Sequence, residues 1–243
     1  PSRLKGPAKG VPNEVLVLGT PHLSGLPANF SPTSLALLLQ RLATWKPDMI
    51  TVEALSGVQC DYMRRYSARY ADSINTYCWD PAPARLATGL DVPAATAEVE
   101  RLLASWPTSP TPAQRRHLAA IFLAAGEPAS ALVQWLRLPV AEQLEQDGLD
   151  HALVKRLQEL IKKANENFQI AAPLAARLGL ERVYATDDHT ADSSSNDEAA
   201  DKAAGEIMQA LWNNPATAKR QKESETRYKQ LGSSEGVLAM YRE

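Results

Sequence analysis

Between Gly57 and Gly179 the chain is rich in Ala and Leu, yet prolines interrupt it at Pro81, Pro83, Pro107, Pro110, Pro112, Pro128, Pro139 and Pro173. Proline inside a helix removes a backbone donor and strikes the preceding turn, at a cost of about 3 kcal/mol. One long helical rod is therefore excluded, and the stretch reads as several short helices. Leu149 to Leu178 is the longest candidate, with Leu153, Leu157, Leu160, Ile161, Ala164 and Phe168 on one stripe. A bend is expected at Pro173, and Gly179 is a suitable residue to end the helix.

Short strands flank this helical region. After a Pro/Gly-rich leader, Pro1 to Pro12, the run Glu14-Val-Leu-Val-Leu-Gly19 has the pattern of a strand buried on both faces and is expected at the centre of a sheet. Ser31-Pro32 supplies an N-cap and a first-turn proline for a helix carrying Leu35, Leu38, Leu39 and Leu42, which ends before Lys46-Pro47. Asp48 to Glu53 reads as the second strand, so the three elements form a parallel crossover. Glu181 to Thr186 gives a third strand. Ala191 to Asp201, rich in Ser and Asp, reads as a mobile loop, and the remainder as helical runs broken at Asn213-Asn214-Pro215 and Gly232. The fold class that follows is α/β and helix-rich overall: a small, mostly parallel sheet with a large helical insertion at about residues 57–179, in one domain spanning 1–243.

Charge narrows the partners. The 243 residues carry 26 Lys+Arg against 28 Asp+Glu, a formal net charge of -2, which lacks the broad cationic field of a nucleic-acid binder. No apolar run approaches the roughly 18 residues of a membrane span. Cys60 and Cys78 have no partner at zinc-site spacing; they pair in one disulfide or remain as two small buried hydrophobes. The sequence opens at Pro1 without Met, which fits removal of a signal peptide or trimming, and export is slightly favoured over a cytoplasmic location. Oligomeric state is not legible.

Each expected strand runs into ionisable or polar residues: Gly19-Thr20-Pro21-His22 after the first, Glu53 at the end of the second, Asp187-Asp188-His189 after the third. In a parallel sheet these ends share one edge, where open α/β folds place ligand sites. His22 is the leading candidate, as base or metal ligand. Glu53 ends an apolar strand, where a carboxylate needs a cation or a fixed donor. Asp187 and Asp188 are candidate orienting or ligating groups, although Asp also serves turns and caps for local reasons. His189 is a ligand-binding candidate beside them. Asn165-Glu166-Asn167 interrupts an apolar helix with polar groups, which nominates Asn165 and Glu166. Arg85, after Tyr77-Cys-Trp-Asp80, is a candidate anion-binding residue on a pocket rim. No Gly-rich phosphate loop and no Gly-x-Ser-x-Gly occurs.

The segments Leu18-Gly19-Thr20-Pro21-His22-Leu23, Trp45-Lys46-Pro47-Asp48 with Ile50-Thr51-Val52-Glu53, and Val183-Tyr184-Ala185-Thr186-Asp187-Asp188-His189 resemble, in order and spacing, an uncharacterised bacterial domain family. That family is similar to the TraB/GumN and Tiki proteins and, more distantly, to the group of erythromycin esterase and the ChaN haem-binding protein. The resemblance spans most of the chain, including the Asn165-Glu166-Asn167 helix. It implies an α/β core in which the histidine of Gly-x-x-His, here His22, and the strand-end glutamate, here Glu53, line one site; Tiki-like relatives are metal-dependent peptidases. It also implies a second Gly-x-x-His on a later strand. This sequence has none, so either a C-terminal strand lies outside it or the site differs.

Two functions are carried forward. The first is hydrolysis of a peptide, amide or ester bond, with His22 as general base or as ligand, with Glu53, of a divalent metal ion, and Asp187 or Asp188 assisting. The second is a non-catalytic module that holds a small molecule or peptide in the same cleft. The first requires an imidazole and the Glu53 carboxylate within about 3–6 Å of each other.

Overall fold

The computed structural model describes residues 13–192 and 197–242. Two parallel strands, β1 (Thr51–Val52) and β2 (Tyr184–Ala185), pair in the register Thr51↔Tyr184 and Val52↔Ala185. Around them stand twelve α-helices among the described residues: α1 (Ala36–Trp45), α2 (Gly57–Arg65), α3 (Ser67–Tyr77), α4 (Ala82–Thr88), α5 (Val92–Ala104), α6 (Pro112–Ala124), α7 (Pro128–Leu136), α8 (His151–Lys162), α9 (Ala172–Leu178), α10 (Glu198–Trp212), α11 (Pro215–Tyr228) and α12 (Ser234–Met240). The fold is thus helix-rich α/β with a small parallel sheet. No helix among the described residues is long and apolar enough to cross a membrane.

Prolines start helices here rather than break them. Pro112 and Pro128 occupy the first turns of α6 and α7, and Thr111 caps α6 with a reciprocal Gln114 bond, while Ser56 and Gln59 do the same for α2. α6 and α7 form a hairpin at the centre of the main core, where Leu118, Phe122, Leu132, Trp135, Leu153, Leu157 and Val183 are buried. Two guanidiniums are buried with it, those of Arg115 and of Arg116, the latter paired with Asp147 and Glu142. Arg115 Nη1 donates to Gln134 Oε1 (2.8 Å) and Glu181 Oε2 (2.9 Å), and Arg137 pairs with Glu181 Oε1 at 2.7 Å. Burial alone would raise the Glu181 carboxyl, but these cationic and amide donors outweigh it and hold its pKa low. Ser130 Oγ donates to Val183 O (2.9 Å), so the start of β2 is fixed to α7.

The first expected strand is not in the sheet. Residues 13–19 form no strand and no helix, with Val15 and Val17 82% and 87% exposed. Only Leu18 of the run packs inward, against a second core made by Leu23, Leu35, Leu38, Ile170, Leu231, Val237 and Leu238. An apolar run specifies burial but not a partner strand, and here Leu18 and then Leu23 anchor the segment to the second core. The long helix expected at Leu149–Leu178 is also divided. α8 ends at Lys162, a break follows, and Asn167–Ala171 form a π-helical turn before α9. Of the sequence readings, the leader Pro1 to Pro12 lies outside the described residues, as do residues 193–196 of the expected Ala191–Asp201 loop, whose last residues belong to α10.

Cys60 and Cys78 are joined in a disulfide, with Cα atoms 5.6 Å apart, which ties α2 to the end of α3. The N-terminus of α2 is seated by backbone on backbone. A Cβ at Gly57 would overlap the Ala125 carbonyl oxygen and lie 2.9 Å from Gly126 Cα, where Gly126 itself turns with φ +77°. Gly57→Ala is therefore expected to cost about 3 kcal/mol in urea unfolding, whereas Gly25→Ala, with open space around it, should stay within about 0.5 kcal/mol of wild type.

Candidate acid/base site at the sheet edge

The site is built on the break between α8 and α9. Asn165 Oδ1 accepts from Asn167 N (2.9 Å) and Asn165 O from Gln169 N (2.9 Å), which restarts the helix at Glu166. Ala172 N then donates to Asn167 O, five residues back, so the turn is wider than an α-turn. Pro173, which has no N–H to give Gln169 O, tolerates that widening. Gln169 Nε2 reaches back to Ile161 O (2.5 Å) and Lys163 O (3.2 Å) and satisfies carbonyls at the end of α8. π-turns recur at functional sites.

This turn presents Glu166 to the N-terminal segment. Burial of Leu23 in the second core brings its backbone N to 3.1 Å from Glu166 Oε1, and the same oxygen lies 3.3 Å from His22 Nδ1. The carboxylate is sheltered, its side chain 16% exposed, while the imidazole stands 82% exposed. One ring nitrogen thus faces a fixed acceptor and the other faces solvent. Nearby, the Tyr241 hydroxyl is buried without a hydrogen-bond partner among the described residues; burial, reinforced by the Glu166 charge, pushes its pKa up to about 12. It keeps its proton at neutral pH.

Glu53 does not supply the partner of His22. It is exposed just past β1, and no ion pair joins it to His22; Asn167 Nδ2 donates instead to its backbone carbonyl at 3.3 Å. The expected pairing of His22 with Glu53 is therefore corrected to His22 with Glu166. The reason is that the segment before His22 is not a strand beside β1, so its end is set by the second core and not by the sheet. Asn165 shapes the turn under Glu166. Arg85 is exposed on α4, and its side chain has no hydrogen bond or ion pair among the described residues.

On the other side of Glu53 the ladder continues past the strands, with Thr186 N donating to Val52 O and Asp187 N to Ala54 O, both at 3.1 Å. Asp187 Oδ2 lies 3.0 Å from His189 Nε2, and Asp192 Oδ2 lies 2.7 Å from His189 Nδ1. Ser73 Oγ donates to Asp192 Oδ2 (3.0 Å), Tyr70 Oη donates to Thr190 O (2.9 Å), and the Tyr77 ring stacks on the imidazole with centroids 4.1 Å apart. Asp192, then Asp187, raises the His189 pKa, and Asp192 is lowered in turn by His189 and Ser73. Both imidazole nitrogens are occupied. His189 and Asp187 thus form a charged clasp between the β2 loop and α3 and are not a free base. Asp188 serves its own turn, accepting from Thr190 N at 2.8 Å, which holds its pKa low.

Ser73, Tyr77 and Asp192 of the clasp, and Tyr241 beside Glu166, were not among the nominated residues. Ser73 and Tyr77 are one helical turn apart, a spacing that marks a shared face, but nothing in the sequence connects that face to Asp192. No cluster of three or more His, Cys, Asp or Glu side chains able to hold a metal ion occurs among the described residues. His22 and Glu166 supply two donors, short of the three protein ligands usual at a catalytic divalent metal, and Glu53 does not join them. Two surface hollows, of about 580 and 420 Å³, lie elsewhere: one is lined by Lys229, Ser233 and Glu235, the other by Thr88, Glu98 and His117. No family model, no curated protein and no solved structure matches the chain.

The clasp has a defined pH window. The His189 pKa is raised above the usual 6.5, so its contribution is complete below that value and is lost as pH rises through the folded pKa; the contribution of Asp192, whose pKa is depressed, is present above 3.8 and lost on acidification. NMR titration should place the His189 ring above the ordinary histidine range in the wild type and return it toward 6.5 in Asp192→Asn.

Proposed function

We propose that His22 and Glu166 form a metal-independent acid/base pair that hydrolyses a peptide, amide or ester bond. The observation that carries this reading is the shared Glu166 Oε1, 3.3 Å from His22 Nδ1 and 3.1 Å from Leu23 N. Such a carboxylate orients the imidazole and favours the tautomer with the proton on Nδ1. Nε2 is then free to take a proton from water as the water attacks a carbonyl carbon, while Glu166 stabilises the imidazolium that forms. The same Nε2 proton passes to the leaving oxygen or nitrogen as the bond breaks. In this reading the exposed Glu53, whose backbone carbonyl accepts from Asn167 Nδ2, meets the substrate chain beside the reacting bond. The Gly19-Thr20-Pro21-His22 resemblance to the TraB-like proteins supports hydrolysis as the outcome, although the Tiki-like relatives carry it out with a metal ion. The Cys60–Cys78 disulfide supports an oxidising compartment for it.

A non-catalytic peptide-binding module is the second reading, favoured by the 82% exposure of the His22 side chain. Initial rates on nitrophenyl esters, anilides and a peptide library separate the two. Hydrolysis should fall about 100- to 10,000-fold in His22→Ala and by a smaller factor in Glu166→Gln, whose amide oxygen still accepts from Leu23 N. Glu53→Gln should change KM more than kcat. Chelator treatment should leave the rate unchanged, and restoration of a chelated protein by a divalent ion would return the metal-dependent mechanism. Absence of turnover in the wild type, with peptide retention weakened by His22→Ala, would establish the binding module instead.

A further inference from the structure

From Ala199 to Asn214 every residue is exposed, so α10, capped at its start by Asp197 accepting from Ala200 N, buries none of these side chains against the rest of the described chain. Its apolar residues nevertheless follow a pattern. Ala200, Ala204, Ile207, Met208 and Leu211 recur at helical spacing on one face, with Trp212 at its margin. Ile207, Met208, Leu211 and Trp212 are 62, 52, 64 and 59% exposed. A contiguous apolar face of this kind marks an interaction surface.

We propose that this face is covered by α10 of a second copy of the chain, packed antiparallel about a two-fold axis that crosses the middle of the helix. Size along the face is graded, with alanines in the N-terminal half and Ile207, Met208, Leu211 and Trp212 in the C-terminal half. Reversal of a second copy sets each bulky half on the other's alanines, whereas a parallel pair would set Trp212 on Trp212 and leave a gap at Ala200. The four large side chains offer roughly 500 Å² per copy, about 1,000 Å² for the pair, which reaches the lower bound of a specific interface. Charge agrees with the same orientation. Asp201 is the ionisable residue of α10 nearest the stripe, and antiparallel packing separates the two copies of it by about 12 Å along the axis, beyond the screening length. A parallel pair would place them side by side. A lipid surface fits less well, because Asp197, Asp201 and Glu206 outnumber Lys202 on the polar side, where interfacial helices carry cations.

Sedimentation velocity over a range of concentrations tests the proposal on the full chain. A reversible monomer–dimer equilibrium is expected. Leu211→Asp and Ala204→Arg should each weaken it about 30-fold, while Lys202→Glu on the outer side should leave it unchanged. Because these positions are exposed in the single chain, circular dichroism should be that of the wild type in all three. A wild type that stays monomeric at its highest soluble concentration, or a dimer that withstands both Leu211→Asp and Ala204→Arg, overturns the proposal. So does a monomer that cosediments with anionic phospholipid vesicles through this face.

Discussion

The candidate site depends on a second hydrophobic core, not on the sheet. Leu23, Leu35 and Leu38 near one end of the chain meet Ile170 in the π-turn and Leu231, Val237 and Leu238 near the other. Burial of each leucine or isoleucine contributes about 1.5–3 kcal/mol, so this cluster is what holds the His22 segment against the α8–α9 break. The Glu166 carboxylate then accepts from Leu23 N, and the imidazole one residue earlier is carried to the same oxygen. Packing sets the position of the backbone, the Leu23 N–H fixes the carboxylate, and the ring stands in ion-pair contact with it.

The main core solves a different problem, that of seating a two-stranded sheet inside a bundle of short helices. α6 and α7 are buried nearly throughout, and three of their polar side chains hold the segment that leads into β2: Arg115 and Gln134 on Glu181, Ser130 on Val183. Buried guanidiniums are tolerated because each is paired, and loss of a partner would leave a desolvated charge. From this fixed start β2 runs to Asp187, whose neighbour His189 is held by carboxylates on both ring nitrogens. Glu53 lies between the two histidine clusters, linked to one by Asn167 and to the other through Ala54 and Asp187. The expectation that three strands end at one rim is not met, because only β1 and β2 pair and the segment before His22 is held by the second core.

Much was legible in local pattern. The parallel β1 and β2 segments, the helix started at Ser31-Pro32, the proline-punctuated helical region and the polar interruption at Asn165-Glu166-Asn167 all follow from period, caps and breakers, which act over a few residues. His22 and Glu166 were both nominated, but in separate roles. What pairs them is 143 residues of intervening chain folded so that Leu23 and Ile170 share a core, and no local signal reports such a contact.

The sequence by itself determined the helix-rich α/β class and many of the helix starts, because residue type, spacing and capping are written along the chain. Only the tertiary structure decided that Val15 and Val17 stay in solvent, that Glu166 rather than Glu53 faces His22, and that His189 is bound on both nitrogens by Asp187 and Asp192. These are questions of partner, and a partner is set by the competition of distant apolar groups for one buried volume, a global minimum that no short segment contains.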